Sequence, residues 1–135
     1  AVDSERGLLV PVIRDVGRKS ILDIIRELDD IARRTRSGDI KSDELRGSTF
    51  TLSNLGGIGG VAFNPIINPP EVAILGVARA ERLPVYHANG NIEIRLMLPL
   101  CLGYDHRIID GAQGARFTRE LAECMGNPLD LMFCM

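Results

Sequence analysis

The stretch that decides the fold is Tyr104-Asp105-His106-Arg107-Ile108-Ile109-Asp110-Gly111, which stands where a predicted strand ends and a predicted helix begins. Upstream, apolar residues occupy alternate positions from 92 to 102, the period of a β-strand with one apolar face. If that strand continues, Tyr104 and His106 share the apolar face and point toward packed interior. Downstream, Asp110 precedes a helical pattern and suits the N-cap position.

His106 has two interpretations. A single histidine at the edge of a core is most often a structural group. Its neighbours favour chemistry, because Asp105 and Arg107 flank it and Asp110 follows four positions later. Charged groups at these distances can fix the tautomer of an imidazole and tune its pKa. His106 is therefore the candidate general base of the chain.

These residues resemble a known family. Residues 105–111 are similar to the Asp-His-Arg-x-x-Asp-Gly signature of the dihydrolipoamide acyltransferase core of 2-oxo acid dehydrogenase complexes. Residues 47–56 and 65–76 resemble two further blocks of that family in order and spacing, and the likeness extends from residue 7 to the end. It implies an α/β fold, a two-layer sandwich with a mixed β-sheet of the chloramphenicol-acetyltransferase-like, coenzyme A-dependent acyltransferase class. Residues 1–135 are then the C-terminal portion of a single catalytic domain, truncated at its N-terminal side.

The resemblance also implies a reaction and a site. The reaction is transfer of an acyl group between dihydrolipoamide and coenzyme A, and residues 59–65 and 96–100 look closest to the acetyl-transferring, pyruvate-linked branch. His106 is expected to act as general base, Ser53 to hydrogen-bond the oxyanion, and Asp110 to orient the loop and cap the helix. Phe63 and Asn54 are expected to contact coenzyme A. From the residues alone, Phe63 is equally a core aromatic, and Ser53 one hydroxyl of a Thr-rich strand.

Partners follow from the same resemblance. It implies a homotrimer in which His and Ser approach from adjacent subunits, and a cage joined through the apolar C-terminal residues 129–135. The lipoyl group is expected from another domain, with a 2-oxo acid decarboxylase and dihydrolipoamide dehydrogenase as further components of the complex. Two alternatives stay open: a non-catalytic scaffold or assembly fragment of such a core, and a related antibiotic-acetylating trimer.

Composition excludes other classes. The 135 residues carry 16 basic and 18 acidic side chains, so neither a nucleic-acid partner nor a membrane surface is indicated. The three cysteines, Cys101, Cys124 and Cys134, are odd in number and lack C-x-x-C spacing, which argues against a disulfide framework and a metal site. A reducing compartment fits best: the cytoplasm of a bacterium, or else the mitochondrial matrix.

The remaining patterns give the predicted elements. They are a strand over 8–13, a helix from a Ser20 cap to Gly38, one helical turn over 42–45, strands over 48–53, 72–78 and 83–87, a hairpin turn over 88–91, a helix ended by Gly126, and a short turn after Asn127. Residues 56–60 look like a phosphate-binding glycine loop. We reject that interpretation, because Pro65, Pro69 and Pro70 follow too closely for the helix such a loop requires.

Overall fold

A computed structural model describes residues 1–127, which form two compact units, Ala1–Leu52 and a second unit that begins at Ser53. The predicted C-terminal contacts of residues 129–135, the turn after Asn127 and Cys134 lie outside the described residues. Neither of the two α-helices in residues 1–127 combines the length and the apolar character that a membrane span requires.

The first unit is a small hairpin followed by a helix. Its elements are β1 (Val2–Ser4), β2 (Gly7–Leu9), a 3-10 turn (Val16–Arg18), α1 (Ile21–Ser37) and a second 3-10 turn (Ser42–Leu45). β1 and β2 pair antiparallel. The predicted strand over 8–13 is wrong beyond Leu9. Pro11 has no N–H to donate to a ladder, and Val12 N donates instead to Glu44 O at 2.8 Å.

Helix α1 begins and ends where the sequence predicts. Ser20 Oγ accepts from Asp23 N at 3.2 Å, and Gly38 takes the left-handed C-cap conformation at φ 83°. Ile31 and Thr35 are buried. The rest of the apolar stripe is exposed at Ile21, Leu22, Ile25 and Leu28.

The second unit contains a three-stranded sheet, a two-stranded hairpin and a helix. The strands are the Ser53–Asn54 end of β3 (Thr51–Asn54), β4 (Ala73–Val77), β5 (Glu81–Tyr86), β6 (Ile92–Met97) and β7 (Leu100–Tyr104), and the helix is α2 (Gly111–Gly126). The larger sheet has the order β3-β4-β7, to which Ser53 and Asn54 contribute the end of β3. β4 and β7 are antiparallel with Ala73 opposite Tyr104.

Both faces of the β4–β7 pair are covered at close range. On one face α2 approaches so closely that a Cβ on Gly114 would lie 2.8 Å from the ring of Tyr104. On the other face the Phe63 ring stands over Gly76, where a Cβ would meet it at 2.6 Å. The Phe63 segment, residues 63–65, also covers Gly103, where a Cβ would lie 3.1 Å from the Pro65 carbonyl oxygen. Only glycine allows these approaches.

The single strand predicted over 92–102 is wrong. β6 ends at Met97, β7 begins at Leu100, and the two pair with different partners, β6 with β5 and β7 with β4. Pro99 lies between them and cannot donate a ladder hydrogen bond. The predicted hairpin turn before β6 is confirmed, with Gly90 at φ 83° and Gly90 N donating to His87 O.

Candidate active site

His106 lies in the turn between β7 and α2. The β4–β7 ladder ends where Asp105 N donates to Val72 O at 2.8 Å. The chain then turns, because Ile108 N and Ile109 N both donate to the Asp105 carbonyl oxygen, at 3.0 and 2.9 Å. Strand geometry therefore does not continue to His106, and its exposed side chain corrects the prediction that it points toward packed interior.

The imidazole of His106 rests beside the phenol ring of Tyr104. The ring centroids are 5.7 Å apart with an interplanar angle of 38°. A Cβ placed on Gly111 would lie 3.9 Å from both His106 Nε2 and Tyr104 Oη. Within residues 1–127 the ring nitrogens of His106 make no hydrogen bond, so both are available to a substrate or to a neighbouring subunit.

The residues on either side of His106 bind each other. Asp105 Oδ1 accepts from the backbone N–H of Arg107 at 3.0 Å and from its Nε at 2.9 Å, while Oδ2 accepts from Nε at 3.1 Å. The Arg107 side chain, followed by its backbone N–H, lowers the pKa of Asp105 to about 2. The carboxylate is therefore ionised throughout the neutral range, and Asp105 and Arg107 are structural partners of each other.

Asp110 caps helix α2, as predicted. Its Oδ1 accepts from Gln113 N at 2.7 Å, and Gln113 Oε1 accepts from Asp110 N at 2.9 Å. This reciprocal pair is a capping box, which satisfies two donors at the start of the helix. The carboxylate of Asp110 thus has a structural role, because it fixes the point at which the His106 turn ends and α2 begins.

Ser53 lies away from His106 within one chain. Leu55 N donates to Val77 O at 2.9 Å, whereas the His106 turn is anchored at Val72, the other end of β4. These two anchor points are roughly 16 Å apart along an extended chain. Because β3 and β7 flank β4 on opposite sides, the Ser53 hydroxyl cannot hydrogen-bond the His106 imidazole of the same chain. The half-buried Ser53 hydroxyl has no hydrogen-bond partner in the described part of the chain.

The two residues predicted to contact coenzyme A have partners inside the chain. Asn54 is exposed, and its Oδ1 accepts from Gly56 N at 2.8 Å, which closes the first turn of the glycine loop. The Phe63 ring packs on Gly76, as a core aromatic does. Contact with coenzyme A stays a prediction for both residues. No helix follows the glycine loop within the described residues 56–72, consistent with rejecting a phosphate loop.

No group of three His, Cys, Asp or Glu side chains that could hold a metal ion occurs among residues 1–127.

Sequence reasoning missed the glycines that shape the site. Gly111 lies against the His106 and Tyr104 side chains, and Gly114 lets the Tyr104 ring pack under α2. Glycine is a poor helix former, so two glycines in the first turns of a predicted helix could have indicated a close approach of other groups at this point.

Comparisons with known proteins agree with this geometry. Residues 1–133 match the family described as 2-oxoacid dehydrogenases acyltransferase (catalytic domain). The acetyltransferase component of the pyruvate dehydrogenase complex of Pseudomonas aeruginosa is 52% identical over 127 residues, which is 94% of this chain and 23% of that protein.

Solved structures show the same fold. Azotobacter vinelandii dihydrolipoamide acetyltransferase, in a crystallographic and enzymatic investigation of a serine, a histidine and an asparagine in its catalytic mechanism, gives a TM-score of 0.93 at 47% identity. The match covers 97% of this chain and 54% of that one. The cubic core of a pyruvate dehydrogenase multienzyme complex gives 0.93 at 48% identity, covering 96% and 53%.

These matches confirm the predicted fold class. The chain spans about half of the solved cores and about a quarter of the curated relatives. On the match over residues 1–133, this chain belongs to the family of 2-oxoacid dehydrogenase acyltransferase catalytic domains.

Proposed function

We propose that this chain carries part of an acyltransferase site that moves an acyl group, acetyl by preference, between dihydrolipoamide and coenzyme A. The observation that carries the proposal is the exposed imidazole of His106, whose turn is fixed on both sides while its nitrogens stay without partners in residues 1–127. The likeness to acetyltransferase components favours acetyl over other acyl groups.

The proposed reaction requires one imidazole that can accept and return a proton. A thiol has a pKa near 8.5 and a histidine near 6.5, so a positioned imidazole can take the thiol proton at neutral pH. His106 accepts that proton as the thiol sulfur attacks the thioester carbonyl carbon. It then returns the proton to the sulfur that leaves, so the carbon–sulfur bond that forms replaces the one that breaks.

Ser53 is the proposed donor to the oxyanion. A single donor of this kind contributes about 3 kcal/mol to transition-state stabilisation. Since Ser53 and His106 of one chain are too far apart, the Ser53 that completes a site must come from a second copy. The site is therefore proposed to lie between subunits.

Asp110 is assigned to orientation rather than proton transfer, because its carboxylate is used in the capping box. In the Azotobacter enzyme the investigated histidine and asparagine are also four positions apart. Phe63 and Asn54 are proposed to line the path of coenzyme A. The ring of Phe63 offers an apolar wall, and the Asn54 amide retains its N–H donors after its oxygen is bound to Gly56.

A homotrimer is the proposed assembly. One face of the β5–β6 hairpin carries Pro84, Tyr86, Ile92, Ile94 and Leu96 side by side, and all five are exposed in the single chain. A two-stranded hairpin with such an exposed apolar face is stable when another surface packs against that face.

We further propose a cytoplasmic complex that includes a 2-oxo acid decarboxylase and dihydrolipoamide dehydrogenase. The lipoyl group is supplied by another domain, and residues 1–135 are part of one catalytic domain.

The test is an assay of the assembled protein with acetyl coenzyme A and dihydrolipoamide. His106→Ala should lower kcat by about 10²- to 10⁴-fold, the usual contribution of a general base. The control is His87→Ala, which removes the other histidine of the chain, exposed at the end of β5 and paired with Glu93 at 3.1 Å. Equal rates for the parent protein and His106→Ala would refute the proposal.

A scaffold is the second candidate function. The observation that favours it is a pair of exposed apolar rows, one on α1 and one on the β5–β6 hairpin, which suit contacts between chains. A large assembly in light scattering that has no transferase activity and no binding of coenzyme A would establish the scaffold in place of the enzyme.

A further inference from the structure

The loop that presents His106 is closed by the residue before it. Asp105 Oδ1 accepts the backbone N–H of Arg107, two residues on, at 3.0 Å. This is an Asx turn, the ring that an Asp or Asn side chain forms with the backbone two positions later. His106 is the middle residue of that ring, so the turn restricts the backbone dihedrals of the residue that carries the imidazole.

The backbone of Asp105 fastens the same turn to the sheet. Its N–H donates to Val72 O at 2.8 Å, and its carbonyl accepts from Ile108 N and Ile109 N at 3.0 and 2.9 Å. Its N–H, its carbonyl and one carboxylate oxygen thus hold the chain before and after His106. The Asp105 side chain is only 20% exposed, which limits competition from water for these bonds.

Arg107 contributes by holding the carboxylate. Its Nε lies 2.9 and 3.1 Å from the two oxygens of Asp105, while its side chain is 88% exposed. An ion pair so exposed adds little to stability by itself. Its geometry nevertheless selects the rotamer of Asp105 in which Oδ1 meets the Arg107 N–H.

We propose that Asp105 is a positioning residue for His106 and that it acts through the acceptor oxygen of the Asx turn rather than through its charge. The inference rests on the proposed function of His106. A displacement of about 1 Å in a reacting group can cost 10²-fold in rate. The Asx turn is the local feature that prevents such a displacement.

Two substitutions separate the turn from the charge. Asp105→Asn keeps an oxygen that can accept from the Arg107 N–H but removes the charge, while Asp105→Glu keeps the charge on a chain one methylene longer that does not favour this turn. We expect kcat of Asp105→Asn to stay within about tenfold of the parent protein, because the amide oxygen still closes the Asx turn and only the charge assistance of that hydrogen bond is lost. Asp105→Glu should lose about 100-fold in kcat with KM unchanged.

A readout independent of activity accompanies the assay. The chain has two histidines, so the His87→Gln variant assigns the imidazole signals in NMR. The His106 signal should keep its shift in Asp105→Asn and move toward that of an unstructured histidine in Asp105→Glu. The reverse order of the two variants in kcat or in shift, or equal behaviour of both, would overturn the inference. Unchanged activity in His106→Ala would instead refute the proposed function and leave the NMR comparison to decide the role of Asp105.

Discussion

Strands β6 and β7 have the same alternation of apolar residues, yet their surroundings differ. Among residues 1–127, β6 pairs with β5 alone, and Ile92, Ile94 and Leu96 on it are 59–69% exposed. β7 pairs with β4, and its residues are half-buried between α2 and the Phe63 segment. The covered strand ends at the turn that carries His106, and the uncovered strand is the surface that we propose for assembly. In the function that we propose, different strands thus place His106 within one chain and complete the site between chains.

The largest expected effect is on assembly through β6. Leu96→Glu places a charge on the exposed apolar face, and burying an unpaired charge is costly enough to prevent association there. We expect a loss of trimers in analytical ultracentrifugation and a parallel loss of transferase activity. The matched control is Arg95→Gln, which alters the opposite face of the hairpin. Trimers of full activity in Leu96→Glu would show that this face is not the interface.

The next largest effect is a difference in the free energy of unfolding between matched leucine substitutions in the two strands. Leu102→Ala in β7 should lower the free energy of unfolding by about 2 kcal/mol, the lower end for a partly buried leucine. Leu96→Ala in β6 should change it by less than about 0.5 kcal/mol in the dissociated chain. Denaturant titrations at low protein concentration measure both. Equal losses would mean that the single chain already covers β6.

A smaller loss of folding stability is expected from a substitution where the Phe63 segment crosses the sheet. Gly76→Ala should cost about 1 kcal/mol, because its Cβ would stand 2.6 Å from the Phe63 ring and the ring must shift. Gly57→Ala is the control, since nothing lies within 4 Å of a Cβ there. Thermal unfolding of both variants tests the pair. A Gly76→Ala variant as stable as Gly57→Ala would contradict the close packing described for this face.

The smallest effect is the acid response of two carboxylates, Asp105 directly after β7 and Glu93 on β6. The pKa of Asp105 is lowered to about 2 by Arg107, and that of Glu93 on β6 is lowered by His87 and Arg95. Each ionised carboxylate stabilises the folded chain at pH values above its ordinary pKa, which is 3.8 for Asp105 and 4.5 for Glu93. This stabilisation is lost as the pH falls through the lowered pKa of the folded chain. In Asp105→Asn, stability should therefore fall less than in the parent between pH 4 and about pH 2. Identical pH profiles would show that Asp105 does not contribute.

Local chemistry explains which parts of this fold the sequence predicts. The Ser20 and Asp110 caps, the Gly38 C-cap and the turn at Gly90 depend on a few neighbouring residues, and all four are confirmed. The break at Pro99 was missed because an alternating pattern does not say which strand will pair with which. The distance between Ser53 and His106 depends on that pairing, so it could not be predicted from the sequence without the strand order β3-β4-β7. The proposed covering of the β6 face depends on other chains, and a pattern within one chain does not show which surface a second chain contacts.

The proposed function depends on sharing between chains, because each site takes its imidazole from one chain and its hydroxyl from another. Co-expressing His106→Ala and Ser53→Ala chains tests it directly, because neither variant alone has both groups. In randomly mixed trimers, about a quarter of the interfaces would combine an intact His106 with an intact Ser53, so activity should return to about a quarter of the parent value. Mixed trimers no more active than the two separate variants would contradict the claim.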